Sequence, residues 1–125
     1  MFLTEKAWGY AEDQLSTTHS ISTDVTDTDV AQTHFDGITY AKGSAFLKQL
    51  ACYIGLDKFE AGVKIYFKRH GWGNTQLKDF LTALEDAVKA GGENLNLLEY
   101  CDIWLKTSGL NWVEPELQRD DTGSL

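Results

Sequence analysis

Four amphipathic helical periods joined by short glycine segments leave residues 40–109 little choice of architecture. Joints this short return the chain directly, so consecutive helices must lie as antiparallel neighbours. The first period runs over residues 40–54, with Gly43, Phe46, Leu47, Leu50, Ala51 and Ile54 on one face, and ends at Gly55. A second starts near Asp57, a suitable N-cap, and carries Phe59, Val63, Tyr66, Phe67 and His70 to Gly71 and Gly73. The third opens at Asn74 or Thr75 and aligns Leu77, Phe80, Leu81, Leu84 and Val88 before Gly91 and Gly92. The fourth, residues 95–106, holds Leu97, Leu98, Cys101, Trp104 and Leu105, and Ser108-Gly109 closes it. The expected fold class is therefore mainly α, a small helical bundle or helical layer. Its expected core runs through Phe46, Leu50, Phe59, Val63, Phe67, Leu77, Phe80, Leu84, Leu98 and Trp104.

Before these helices lie two different segments. Residues 1–13 place Phe2, Leu3, Lys6, Ala7 and Tyr10 at helical spacing, without a capping residue ahead of Phe2. The expectation is a short amphipathic helix or the tail of a longer one begun upstream. Residues 14–39 turn to Ser, Thr and Asp. Alternation of Ile21, Thr23 and Val25 would support one short strand, but Asp24, Asp27 and Asp29 favour a long exposed connection. A loop of that length inside a compact domain calls for a functional reason or for neighbouring protein. Residues 110–125 have little to bury and read as a tail or linker.

The 125 residues make one domain, and 42% hydrophobic with 24% charged residues is a globular balance. A net charge of -8 would repel a phosphate backbone over most of the surface. The basic residues concentrate in residues 37–90, from Lys42 and Lys48 to Lys78 and Lys89, spread as the wet faces of helices rather than gathered in a patch. No nucleic-acid partner is expected. Nor is a membrane, since no run of about 18 apolar residues occurs. Cys52 and Cys101 form no CxxC and sit in apolar runs, where reduced cysteines pack as small hydrophobes, so a cytoplasmic protein is expected.

Composition and spacing supply no complete active site. His19, His34 and His70 include no pair at i and i+4, and no HExxH occurs, so a zinc site would have to be assembled across the loop. The aspartates of the loop lack the glycine and distal Glu of a calcium loop. There is no GxSxG, no activated thiol, and Gly71-Trp72-Gly73 is too short to cradle a phosphate. Tyr40 alone stands out by position, where the polar loop meets the first clear helix. A phenol there can donate a hydrogen bond to an oxygen as negative charge develops on it, or can simply anchor the helix start.

Several blocks of the chain, in order, resemble the zinc aminopeptidases of the aminopeptidase N type, whose catalytic domain is thermolysin-like. They are Phe2-Leu3-Thr4-Glu5-Lys6, Asp13-Gln14-Leu15-Ser16-Thr17-Thr18-His19-Ser20-Ile21 and Phe35-Asp36-Gly37-Ile38-Thr39-Tyr40-Ala41-Lys42-Gly43-Ser44. Phe59 to His70, Gly73-Asn74-Thr75 and Trp104 to Gly109 continue the series. The resemblance implies that Tyr40, in a Tyr-x-Lys-Gly motif, is the catalytic tyrosine that hydrogen-bonds the tetrahedral intermediate. It also implies that Phe35 lines the cleft beside the substrate. The family's His-Pro-Ile is His19-Ser20-Ile21 here, a change that removes no catalytic atom.

The family's zinc-binding HExxH, its second Glu ligand and its GxMEN motif have no counterpart in the 125 residues. Residues 1–109 then resemble the C-terminal helical part of a peptidase catalytic domain. The resemblance implies an intact parent that uses zinc to hydrolyse N-terminal residues from peptides. This chain would supply the transition-state tyrosine, bind no metal or cofactor itself and be inactive alone. Its partners would be the missing N-terminal half of the domain and, in the parent, a peptide substrate. Self-association is also expected, through a surface including Phe2, Tyr10, Phe35 and some of Tyr40, Trp72 or Trp112. The alternative is a non-catalytic helical protein-interaction or regulatory module.

Overall fold

The computed structural model describes residues 2–23 and 35–117. Among them the regular structure is wholly helical. The elements are α1 (Phe2–Asp13), a π-helical turn (Ile38–Lys42), α2 (Gly43–Ile54), α3 (Leu56–His70), α4 (Leu77–Ala90) and α5 (Leu97–Lys106). The π-turn runs directly into α2, so the first of the four periods starts two residues earlier than its pattern suggests.

The core is built where α2, α4 and α5 face one another. Leu50, Leu84, Val88, Leu97 and Cys101 are fully buried there, with Phe46, Ile54, Leu81 and Leu105 beside them. Phe59, Phe80 and Trp104 pack against this cluster from its rim. Burial first, and then the Glu85 carboxylate, pushes the Cys101 thiol up to about 11, so it stays protonated and serves as packing. Cys52 departs from the expectation that both cysteines pack inside, for it is exposed on α2.

Three expected core residues are on the surface instead: Phe67, Leu77 and Leu98. Val63 is half-buried. The reason on α3 is a helix phase about one residue away from the expected one. Gly62 is buried so closely under α4 that an added Cβ would lie 2.6 Å from Leu84 Cδ2 and 2.9 Å from Leu84 Cα. That approach centres the contact on Gly62 and turns Tyr66 inward, edge-on to Phe80 at 5.3 Å, leaving Phe67 outside. Leu77 and Leu98 stand at the first turns of their helices, where each has a better-placed neighbour: Leu81 and Leu97 are buried in their stead.

Helix starts also differ from expectation. Gly55, not Asp57, precedes α3, and Gln76, not Asn74 or Thr75, precedes α4. Asp79 Oδ2 accepts the Gln76 N–H at 2.9 Å, half of a capping box. At α5 the Asn96 side chain accepts the Glu99 N–H at 3.2 Å. Glu85, reaching over from α4, accepts the Leu97 N–H at 2.9 Å. A cap supplied by the neighbouring helix ties the two elements together as well as satisfying an end.

Ile21 packs on the core and the Ser22 N–H donates to the Leu105 carbonyl at 2.8 Å, so residues 18–23 lie along the bundle without forming a strand. The expected strand extends to Val25, which lies outside the described residues with Asp24, Asp27, Asp29 and His34, as does the end of the tail.

Candidate functional site

The π-turn is held from three directions. Beneath it runs α1, where Gly9 permits the approach: a Cβ on that residue would stand 3.1 Å from Ala41 Cβ. Ile38 and Ala41 of the turn are buried. At its start, Asp36 Oδ1 accepts the N–H groups of Ile38 and Thr39, each at 3.0 Å, and the Asp36 carbonyl accepts the Tyr40 N–H at 3.1 Å. At its end, the Gly43 N–H reaches back to the Ile38 carbonyl, the i to i−5 bond that defines a π-turn.

Tyr40 and Lys42 leave this turn on different sides. Tyr40 is 52% exposed, with the ring of exposed Phe35 beside its own at a centroid distance of 5.8 Å. It borders a hollow of about 370 Å³ with Leu47, Leu77 and Phe80. Lys42 turns inward: its Nζ lies 3.0 Å from Asp13 Oδ2 and donates to the Gly109 and Thr107 carbonyls at 3.2 and 3.3 Å. The Asp13 side chain is 1% exposed and also takes hydrogen bonds from Thr18 Oγ1 at 2.7 Å and the Gly109 N–H at 3.0 Å. Burial by itself would raise the Asp13 pKa, but Thr18, Lys42 and Gly109 outweigh it and hold the carboxyl below its ordinary 3.8. This buried pair joins the end of α1, the π-turn and the segment leaving α5.

His19 completes the support. Its Nε2 meets Asp36 Oδ2 at 2.7 Å and its Nδ1 meets the Ser20 carbonyl at 2.8 Å. Both ring nitrogens face acceptors, an arrangement that suits the imidazolium. Burial by itself would lower the His19 pKa, but the Ser20 carbonyl and the Asp36 carboxylate reverse this, with Asp13 adding in the same direction, so it is raised above 6.5. Asp36 is lowered below 3.8 against the effect of burial, by the Thr39 N–H and then by His19.

Stability from the raised His19 pKa is present in full below about 6.5 and is lost as pH rises through the folded value. Stability from the lowered Asp36 pKa is present above about 3.8 and is lost as pH falls through its folded value. The couple is therefore strongest in the acid window between them. An NMR titration should place the His19 midpoint above 6.5, and Asp36→Asn should bring it down; a His19 midpoint unmoved by that substitution would refute the coupling.

No group of three or more His, Cys, Asp or Glu side chains able to hold a metal ion occurs among the described residues. His19 and Asp36 are engaged with each other, and Asp13 with Lys42, so these residues do not fit a zinc centre. Of the side chains expected to form an exposed apolar surface, Tyr10, Phe35, Tyr40, Trp72 and Trp112 are exposed, and Phe2 lies outside the described side chains.

Phe35 and Tyr40, singled out by the sequence, come together here. The roles of Asp36, His19 and Asp13 were not anticipated. Asp36 had a local signal, an Asp two residues ahead of a helical start, which is the pattern of a side-chain cap. The Asp13 to Lys42 pair had none, since its partners come together only in the folded chain.

The model of the peptidase family M1 domain matches residues 1–104. Aminopeptidase N of Streptomyces lividans is 46% identical over 118 residues, covering 94% of this chain and 13% of that protein. Aminopeptidase 2 of Candida albicans is 38% identical over 104 residues, 83% of this chain and 11% of that protein. Tricorn protease-interacting factor F2 of Thermoplasma acidophilum is 34% identical over 106 residues, 85% of this chain and 13% of that protein. The chain thus spans about an eighth of the length of these relatives. With the ordered blocks, the helical architecture and the family match in agreement, the chain belongs to peptidase family M1, the aminopeptidase N-like zinc peptidases, and its part of that domain is helical.

Proposed function

We propose that this chain works as the C-terminal helical part of the catalytic domain of a zinc aminopeptidase that hydrolyses N-terminal residues from peptides, and that it contributes the Tyr40 hydroxyl to the reaction. In this reading residues 1–109 belong to the catalytic domain and residues 110–125 lead away from it. The observation that carries the reading is the division of labour on the π-turn. Lys42 is spent on an internal ion pair, whereas the neighbouring phenol is presented outward from a backbone pinned at both ends. A donor of that kind suits an oxygen that gains negative charge as a tetrahedral intermediate forms. Phe35, beside it, serves as an apolar wall for the bound peptide. π-Turns recur at functional sites because the extra residue re-aims side chains.

Zinc in this reading belongs to the parent and is held by residues outside this chain. The rest of the catalytic domain covers exposed rings such as Tyr10, Trp72 and Trp112, which are open to self-association when the chain stands alone. A cytoplasmic setting goes with it, since Cys52 and Cys101 are both free thiols. The test is turnover of an aminoacyl reporter with added zinc. The intact parent should release the reporter and the 125-residue chain should not. Zinc-dependent release that stays with the purified chain would overturn the proposal.

A further inference from the structure

We infer that Asp36, gripped by His19, is the positioning residue that sets the Tyr40 phenol for the reaction. This rests on the reading of Tyr40 given above and adds to it the device that aims the ring. The start of a helical turn leaves unpaired N–H groups. Here the N–H groups of Ile38, Thr39 and Tyr40 all end on Asp36, the first two on its Oδ1 and the third on its carbonyl. The remaining carboxylate oxygen, Oδ2, is taken by His19 at 2.7 Å.

His19 cannot swing away without also giving up the Ser20 carbonyl. Its flanks are fixed in turn, Thr18 by the buried Asp13 carboxylate and Ser22 by the Leu105 carbonyl at the end of α5. A continuous line of bonds therefore runs from the helical core through His19 and Asp36 to the backbone of Tyr40. Tyr40 is half exposed, so the packing around its side chain constrains it weakly and the backbone beneath it sets its place. Asp36 and His19 are joined to Tyr40 through that backbone and act by placement. Placement matters steeply, because a shift of about 1 Å in a reacting group can cost on the order of 100-fold in rate.

A cap that only stabilises the fold would affect the enzyme whether or not Tyr40 had a hydroxyl to aim. The experiment compares kcat, KM and thermal unfolding of the intact parent carrying Asp36→Ala, Asp36→Asn, Tyr40→Phe and the Tyr40→Phe/Asp36→Ala pair. Asp36→Ala should lower kcat by about 10- to 100-fold with KM within about twofold. Asp36→Asn, which keeps an acceptor for the N–H groups, should restore most of that loss. In the Tyr40→Phe background Asp36→Ala should lower kcat by less than about threefold, because effects passing through one group do not add. If Asp36→Ala fails to fold, His19→Gln takes its place, with a smaller fall in kcat that again vanishes in the Tyr40→Phe background.

An unchanged kcat, or a fall of full size in the Tyr40→Phe background, would overturn the positioning role while leaving Tyr40 itself in place. A Tyr40→Phe enzyme with full kcat would instead overturn the reading of Tyr40, and the positioning role with it.

Discussion

Replacing Tyr40 by Phe in the intact parent is expected to lower kcat by about 100-fold or more while KM changes little. The substitution removes one hydroxyl and leaves the ring, its contact with Phe35 and the bonds of the π-turn backbone as they are. In the proposed role, what is lost is a donor whose use grows as charge builds on the reacting oxygen. A contact stronger in the transition state than in the ground state enters kcat, and one equally strong in both enters KM. The size follows from the loss of a comparable oxyanion donor, about 3 to 4 kcal/mol of transition-state stabilisation. Steady-state kinetics on a peptide reporter, with thermal unfolding as a control, decides the matter. An enzyme that folds normally and keeps its kcat would remove Tyr40 from the reaction; a raised KM with kcat intact would make it a binding residue.

The helices were legible because each rests on a local signal: the repeats around Phe46 and Leu50, or around Leu81 and Leu84, are amphipathic periods that glycines interrupt. What periodicity could not supply was the phase of α3. Phe59, Val63, Tyr66 and Phe67 form one hydrophobic stripe in sequence, but the closest contact is made by Gly62, whose missing side chain no hydrophobicity pattern registers. Phe67 was misplaced for that reason. Tyr40 was singled out by position and by its motif, and Phe35 by its place in the same block. Their supports were not, apart from the capping pattern at Asp36, because Asp13 at the end of the first helical stretch and His19 in the polar segment look like water-facing residues until the fold brings them to Lys42 and to Asp36. A polar residue in a loop carries no mark in sequence of whether water or a buried partner will satisfy it.

Removing the Lys42 ammonium, as in Lys42→Met, is expected to cost the chain about 3 to 5 kcal/mol of stability at neutral pH. The reason is the charge left behind. Asp13 is 1% exposed on its side chain, Lys42 is 17% exposed, and little water can take the place of the ammonium. Thr18 and Gly109 would still serve Oδ1, which argues for the lower end of the range, but Oδ2 would lose the cation that lies against it. The cost should depend on pH. In the native chain the lowered Asp13 pKa contributes stability above about 3.8 that is lost as pH falls through its folded value. Without Lys42 the Asp13 carboxyl loses the hydrogen bond and the attraction that the ammonium supplies, so its pKa rises from the native one and the variant's deficit should be largest near neutrality and shrink in acid, where the carboxyl is protonated. Adding Asp13→Asn removes the stranded charge and keeps an oxygen for Thr18 and Gly109, so the double variant should recover roughly half of the loss or more. Urea unfolding of the single and double variants across pH reads all three expectations. A Lys42→Met deficit that is small, or that does not vary with pH, would mean that the turn is held by the Gly9 to Ala41 contact and the Asp36 cap, with the ion pair adding little.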